Sequence, residues 1–422
     1  MKIFSVYLLL FFIVGFAFKV SGQGRSPDQI IESILEESVQ EGGDTENHQS
    51  ILEDLYNYAD HPLNLNQASE KELQKLHLLN SFQIKSLLDY IHRNGKLLSI
   101  YELQFVFGFT PDLARRIKPF VFLSYENKRF TGSDISSRKI LRYGKNHMLF
   151  RVQRKIEKPE GYRKSPDSTL AYLGNIYRFY SRYKFELNDR LNFGVTMEKD
   201  PGEEFFRGSN RYGFDYYSFH LLYQGERWLK SVALGDYQLT FGQGLTLWSG
   251  FSFNKTAFSV DVMKTGTGLD DYTSANENNY FRGVAIEQEY GRLNSTLFFS
   301  GKNIDASLTG EDPDNKTFSS FQSSGYHRTW TEIRNEKGVN EKLFGANITY
   351  EGITGVRYGY DGYRQSSPSL SSPHGFSGDQ AFNIGLNYRY LLGNFYFYGE
   401  EAYSGSGFVA LNGFHCRITS DV

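Results

Sequence analysis

From about residue 146 to residue 414, apolar or aromatic side chains repeatedly occupy every second position, with charged or small ones between them. In 147–156, Met148, Phe150 and Val152 alternate with Leu149, Arg151, Gln153 and Lys155. In 177–187, Tyr177, Phe179, Tyr183, Phe185 and Leu187 alternate with Arg178, Tyr180, Arg182, Lys184 and Glu186. In 190–199, Leu191, Phe193, Val195 and Met197 alternate with Asn192, Gly194, Thr196 and Glu198. Similar stretches recur near 216–223, 228–239, 281–290, 293–301, 343–350, 355–360, 381–390, 394–401 and 407–414. A period of two puts alternate side chains on opposite faces of an extended strand. Each stretch therefore has one apolar face and one charged or small face. A soluble β-sandwich also alternates, but it does not need so many strands with Tyr and Phe on one side. The pattern predicts an antiparallel transmembrane β-barrel with its apolar face in lipid and its polar face in the lumen. Composition agrees, because 30 Tyr, 36 Phe and 41 Gly coexist with a mean hydropathy of −0.47. The lumen-facing Arg151, Arg178, Arg182, Lys184, Glu186 and Glu198 are expected to salt-bridge one another.

Connections of two kinds follow. "LNDRLN" is a tight turn. The segments 202–213, 260–279 and 302–340 are long and polar, as extracellular loops are.

The N-terminus fits an export signal. Lys2 gives a positive start, Val6 to Phe18 is an apolar run, and Val20 and Gly22 are small residues at a cleavage site before Gln23. Residues 1–22 are thus expected to be a signal peptide, the run being short for a span of about 20 residues. No later segment resembles a membrane helix, so strands must do any spanning. A single cysteine, Cys416, excludes an internal disulfide and a cysteine-based zinc site.

Between signal and strands the period is helical. Residues 23–60 are a helical segment, with "PDQIIESILEESV" and "HQSILEDLYNYA" as its helices. In 61–122, Asn66 is expected to cap "QASEKELQKL", "HLLNS" to interrupt, and "FQIKSLLDYIHRNG" to form a second helix closed by Gly95. "SIYELQFVF" and "PDLARRIKPFV" repeat the arrangement around "GFT", with Pro111 in the first helical turn. Leu73, Leu76, Ile84, Leu87, Leu103 and Ile117 are its predicted core. A linker, 123–145, leads to the barrel region, 146–422.

"NLNQAS", "KEL" and "KL", followed by "NGKLLSIYELQFVFGFTPDLARRIKPFV", resemble the tandem helix-hairpin-helix domain of the ComEA competence proteins. The chain is still more similar to exported Bacteroidetes-type proteins that place this domain before a long β-rich region. "LGDYQLTFGQGLTLW" and "NENNYFRG" extend the likeness over roughly the mature chain. The resemblance implies an α + β multidomain protein: a small all-α domain in the periplasm, docking a partner beneath an outer-membrane barrel. DNA-binding members hold a phosphate on a Gly–apolar–Gly turn, whose glycines let backbone N–H groups come close. This chain departs from that. His77, Leu78, Leu79, Asn80 and Ser81 contain no glycine, and Gly108, Phe109 and Thr110 keep only the first.

These eight residues are the candidate partner- or phosphate-binding turns, with Lys85, Arg115 and Arg116 as possible phosphate contacts. Eight basic residues stand against five acidic ones in 61–122, a weak electrostatic footprint. Any DNA binding is therefore expected to be weak and non-specific. Leu78 and Leu79 are expected to be exposed and free to face a protein. Two functions stay open: nucleic-acid binding or uptake, and a structural or secretion-related role in which the domain binds a periplasmic protein. A cytosolic repair nuclease is excluded by the signal.

No nucleophile elbow or Ser-His-Asp pattern is present, so no catalytic residue, cofactor or metal is expected. His220 and His327 have no partner that sequence can place. Asp261, Asp270, Asp271 and Glu277 lack calcium-loop spacing and are expected in a solvated loop. Gly242 and Gly244 are expected at a bend or bulge in a strand. The chain stops at "FHCRITSDV" rather than on an aromatic closing strand, so the barrel is expected to be incomplete at that end.

Overall fold

A computed structural model describes residues 27–40, 52, 54–59, 62–124, 144–165, 168–187, 190–250, 263–264, 266–309, 317–351, 357–366, 380–392, 395–405 and 407–416. The proposed signal peptide, most of the linker, the "LNDRLN" tip and Asp261 lie outside them. The described residues fall into a helical unit and a β unit.

The helical unit starts with α1 (Pro27–Gln40), which buries Ile30, Ile31 and Ile34. Residues 54–59 are helical. Next come α2 (Glu70–Lys75), α3 (Ser81–Asn94), a 3-10 turn (Ile100–Phe105), α4 (Pro111–Ile117) and a second 3-10 turn (Lys118–Phe120). Two short strands, β1 (Leu63–Asn64) and β2 (Val121–Phe122), pair in parallel and join the start of this stretch to its end. All six predicted core residues are buried.

Three expectations are corrected. Ser69, not Asn66, caps α2, in a capping box with Glu72. Asn66 is instead buried and exchanges two hydrogen bonds with the Leu97 backbone, at 2.7 and 3.0 Å. "SIYELQFVF" is 3-10 rather than α-helix, capped by Ser99. The tail of "PDLARRIKPFV" leaves the α-helix after Ile117 for the 3-10 turn, and its valine joins β2.

In the β unit, twelve strands form one antiparallel path: β3 (Lys145–Arg154), β4 (Tyr177–Leu187), β5 (Leu191–Lys199), β6 (Tyr216–Gln224), β7 (Leu229–Thr240), β9 (Phe281–Tyr290), β10 (Leu293–Ile304), β13 (Val339–Glu351), β14 (Arg357–Ser366), β15 (Gln380–Leu392), β16 (Phe395–Ser404) and β17 (Gly407–Cys416). Each pairs with the next in the chain, apart from the strands lying inside the two longest connections. There, β8 (Gly268–Asp271) pairs with β7, and β11 (Ala306–Thr309) pairs with β12 (Thr317–Phe321). A short helix, α5 (Trp330–Asn335), lies in the second of these connections.

The connections 188–190, 225–228, 291–292, 352–356 and 393–394 fall at one end of the sheet. The connections 155–176, 200–215, 241–280, 305–338 and 367–379 fall at the other, where the β16–β17 turn is the short exception. β3 and β17 are the two edges, and no ladder joins them among the described residues. The expected barrel is therefore seen, among the described residues, as an open path with β3 and β17 at its edges.

The faces follow the predicted alternation on β6 and β10, but on β4 Phe185 and Leu187, expected on the lipid face, are buried, and β3 is exposed on both faces. On β10, Leu297 and Phe299 are exposed while Thr296, Phe298, Ser300 and Lys302 are buried. On β6, Tyr217 and Phe219 are exposed while Tyr216, Ser218, His220 and Leu222 are buried. Trp228 and Tyr290 stack at the short-turn end, where Tyr350 is also exposed.

Candidate functional site

The turns of the helical unit are built differently from the expectation. Asn80 accepts a hydrogen bond from the Gln83 N–H at 2.8 Å and so caps α3, while the Gln83 side chain returns to the Asn80 N–H. Thr110 caps α4 in the same way, accepting from the Leu113 N–H. The residue before each cap, Leu79 or Phe109, is buried. An apolar residue at that position packs back on the first helical turn, as Leu79 is placed to do with buried Ile84. Leu79 is thus not available to a partner, and Leu78 is only half-exposed.

His77 takes the left-handed backbone conformation, at φ 53°, and its Nε2 lies 2.9 Å from Asp54 Oδ2. Gly108 is left-handed too, at φ 83°, with Phe82 and Gln83 close enough to crowd any Cβ. The Gln83 amide donates to the Gly108 carbonyl at 3.0 Å and ties the two turns together. Ser81 opens α3. Lys85 is exposed, Arg116 half-buried, and Arg115 pairs with Asp112 at 3.6 Å. The exposed apolar surface lies elsewhere, at Leu98, Tyr101 and Phe105, which are 74, 71 and 69% exposed.

The β unit holds more chemistry than its sequence announces. Arg178 pairs with Glu198 at 2.5 Å and Lys184 with Glu186 at 2.6 Å, as the lumen-facing rows predicted. Arg151 lies over the Tyr180 ring. Arg282 and buried Asp236 pair at 2.6 Å, near the long-loop end.

Within the long connections, His327 Nδ1 meets Asp215 at 2.5 Å and Nε2 meets Asp305 at 2.8 Å. The backbone N–H groups of His327 and Asp200 both donate to buried Glu203, at 3.0 and 2.7 Å. Burial opposes a charge on His327, yet the hydrogen bonds and fields of Asp215 and Asp305 outweigh it and push its pKa up to about 11. Burial, with Asp215 and Asp200 nearby, pushes Glu203 up to about 8. Burial, with Asp215, Glu203 and Asp305 nearby, also raises Glu277 well above the usual carboxyl range.

Glu203, Asp215 and His327 bring possible ligand atoms within 4.8 Å of one another, as do Glu277, Asp305 and His327. Both imidazole nitrogens face carboxylates, however, so the ring is held as a doubly donating cation. A metal ion would have to displace its proton. The chemistry fits a charged clasp joining connections 200–215 and 305–338.

The β7–β9 connection corrects two more expectations. Asp270 and Asp271 are buried rather than solvated, and Asp271 Oδ2 lies 3.7 Å from His220. The "GQG" run is not a strand bend. Gly242 and Gly244 are both left-handed, and the turn they form wraps the Glu400 carboxylate. Glu400, on β16 and 0% exposed, accepts from the N–H groups of Gln243, Leu245 and Thr246 at 2.5, 3.0 and 2.8 Å. On the other side, Arg182 of β4 and Thr196 of β5 donate to the Thr273 carbonyl. One connection therefore touches strands near both edges, and the sheet curls around it.

No family model and no curated protein matches the sequence. A solved structure, "OmpT (in-vitro folded), an outer membrane protein Vibrio cholerae (trimer form)", aligns over 66% of this chain and 85% of its own at 11% identity, with a TM-score of 0.24. At that score the likeness carries no argument about this chain.

Proposed function

We propose that the protein is a non-enzymatic outer-membrane β-barrel protein whose helical unit docks a partner in the periplasm. The observation that supports this is the outward face: row after row of exposed Leu, Phe, Ile, Val and Tyr, on a sheet with short turns at one end and long connections at the other. In water, so much exposed apolar surface is a liability. In a bilayer it is the solvated face. The edge strands β3 and β17 run in opposite directions, so they can meet in an antiparallel seam, directly or through further strand pairs. Lipid demands such pairing, because it offers unpaired backbone groups nothing. The chain enters β3 at the short-turn end, the periplasmic end of such barrels, and this supports a periplasmic location for the residues before it.

Within the helix-hairpin-helix likeness, the turn geometry supports a protein partner over nucleic acid. The turn side chains are occupied as caps and staples, two of the basic residues pair with neighbouring acids, and apolar Leu98, Tyr101 and Phe105 are open. DNA uptake is the second reading, supported by left-handed Gly108 and three surplus positive charges.

The test is expression with residues 1–22 in a Gram-negative host. The expected result is recovery in the outer-membrane fraction with heat-modifiable gel migration. Recovery as a folded soluble periplasmic β protein overturns the reading.

A further inference from the structure

We propose that the described residues of the β7–β9 connection form a plug across the barrel lumen, and that Glu400 is the latch that holds it there. The inference rests on the membrane-barrel reading and adds to it a state of the lumen and a residue that controls it.

The plug is anchored in two chemically different ways. At its root it is held by apolar packing: Phe241, Leu247 and Leu269 of the connection join Leu222, Ala285 and Phe298 of the surrounding wall in one buried cluster. Its hairpin is built on β7 itself, with Ser249 bonding to the Leu239 backbone and Phe241 to Leu247. At its far reach Met263 joins Tyr396 and Tyr398 of β16 in a small buried cluster, and the polar hold beside it is the Glu400 carboxylate. The N–H groups of Gln243, Leu245 and Thr246 converge on it, while that of Gly244 donates to the Phe241 carbonyl. Converging N–H groups of this kind make a concavity for an anion, and here the anion belongs to a strand six places along the sheet path from β7.

The glycines are required by that grip. A Cβ at Gly242 would come within 2.7 Å of the Glu400 carboxylate, and one at Gly244 within 3.1 Å of the Trp248 ring. Gln243 is fixed as well, its side chain exchanging hydrogen bonds with the Lys264 backbone at 2.9 and 3.0 Å. A carboxylate with no solvent exposure that takes N–H bonds from a different segment is costly to bury unless the bonds are made. The contact therefore has two states, made or broken, rather than a graded one.

The test refolds the full chain into liposomes and reads the swelling rate in isosmotic arabinose. Wild type is expected to swell slowly. Glu400→Ala and the size-conserving Glu400→Gln are expected to swell about tenfold faster or more, the shift that losing one charge-assisted hydrogen bond of ordinary strength brings. A reversible lock supplies the converse. An ideal Cβ at Gly385 lies 3.1 Å from that of Thr246, so Thr246→Cys with Gly385→Cys, in a Cys416→Ser, Glu400→Ala background, should return to the slow rate when oxidised and to the fast rate when reduced.

Glu400 variants that insert, show heat-modifiable migration and swell at the wild-type rate overturn the latch. So does a wild type that already swells at the variant rate. Variants that fail to insert where wild type succeeds also overturn it, since Glu400 then holds the wall and not the plug. A wild type that never inserts counts against the membrane reading instead.

Discussion

Leu297→Arg separates a lipid-facing sheet from a solvent-facing one. Leu297 is 51% exposed, lies near the middle of β10, and sits beside Ile286 on β9 and Ala346 on β13 in register. Its outward neighbours on the same strand are Leu293 and Phe299. If this face meets water, exchanging a half-exposed leucine for arginine changes stability by about 0.5 kcal/mol or less. If it meets lipid near the bilayer midplane, the guanidinium must be buried in hydrocarbon, and the cost is roughly 2–4 kcal/mol. The two cases differ by more than the error of a denaturant titration. Phe179→Arg is the internal control, because Phe179 pairs with Lys199 at the long-loop end of the sheet and packs on Phe205 at 5.1 Å. Its lipid cost should fall to about 0–1 kcal/mol, as it does near the interface. The assay is urea unfolding of protein refolded into vesicles, scored by heat-modifiable migration. A Leu297→Arg cost no larger than that of an ordinary surface substitution refutes the lipid-facing assignment.

Other expected outcomes follow from the same structure. Leu87→Ala truncates a fully buried residue of α3 and should cost roughly 2–5 kcal/mol, read as earlier loss of helical circular dichroism on heating. Asn66→Ala removes two buried hydrogen bonds to the Leu97 backbone, and should cost about 1–3 kcal/mol in the same measurement. In the charged clasp, both raised groups stabilise the fold at low pH and lose that contribution as pH rises. Glu203 gives its share fully below its ordinary carboxyl range and loses it through about pH 8, and His327 loses its share through about pH 11. Protease cleavage in 200–215 should therefore increase at alkaline pH, and His327→Gln should be cleaved readily at neutral pH, where wild type resists. Equal cleavage of the two at neutral pH removes the clasp. Fluorescence anisotropy with duplex DNA should give a Kd no tighter than about 10⁻⁴–10⁻⁶ M at physiological salt, and nanomolar binding moves the uptake reading to the front.

What the sequence disclosed was local. The two-residue alternation is written in adjacent positions, so strands such as 177–187 and 281–290 were legible residue by residue. The core of the helical unit was legible for the same reason at a period of 3.6. The caps were harder, because Asn66 and Ser69 are both good caps. Choosing between them needs the capping box with Glu72 to be weighed against a partner, Leu97, far along the chain. Leu79 reads as turn surface until its place before a capped helix is recognised as a staple position.

The buried sites are non-local and left little trace. His327 meets Asp215 across 112 residues, and Glu400 meets Gln243 across 157. Gly242 and Gly244 did signal a backbone needing left-handed conformations, but nothing near them names the carboxylate they grip. The polar character of 260–279 was misleading too. Among its described residues Asp270 and Asp271 are buried, with Asp271 beside His220, rather than solvated.

The central claim is that the β unit spans a membrane with its long connections outside. Single cysteines in a Cys416→Ser background test it most directly. Tyr212, in the long 200–215 connection, and Arg292, in the short turn between β9 and β10, are both exposed. With membrane-impermeant maleimide on intact Gram-negative cells, Tyr212→Cys should label at once, while Arg292→Cys should label only after the outer membrane is permeabilised. Labelling of Arg292→Cys at the same rate as Tyr212→Cys in intact cells contradicts the account.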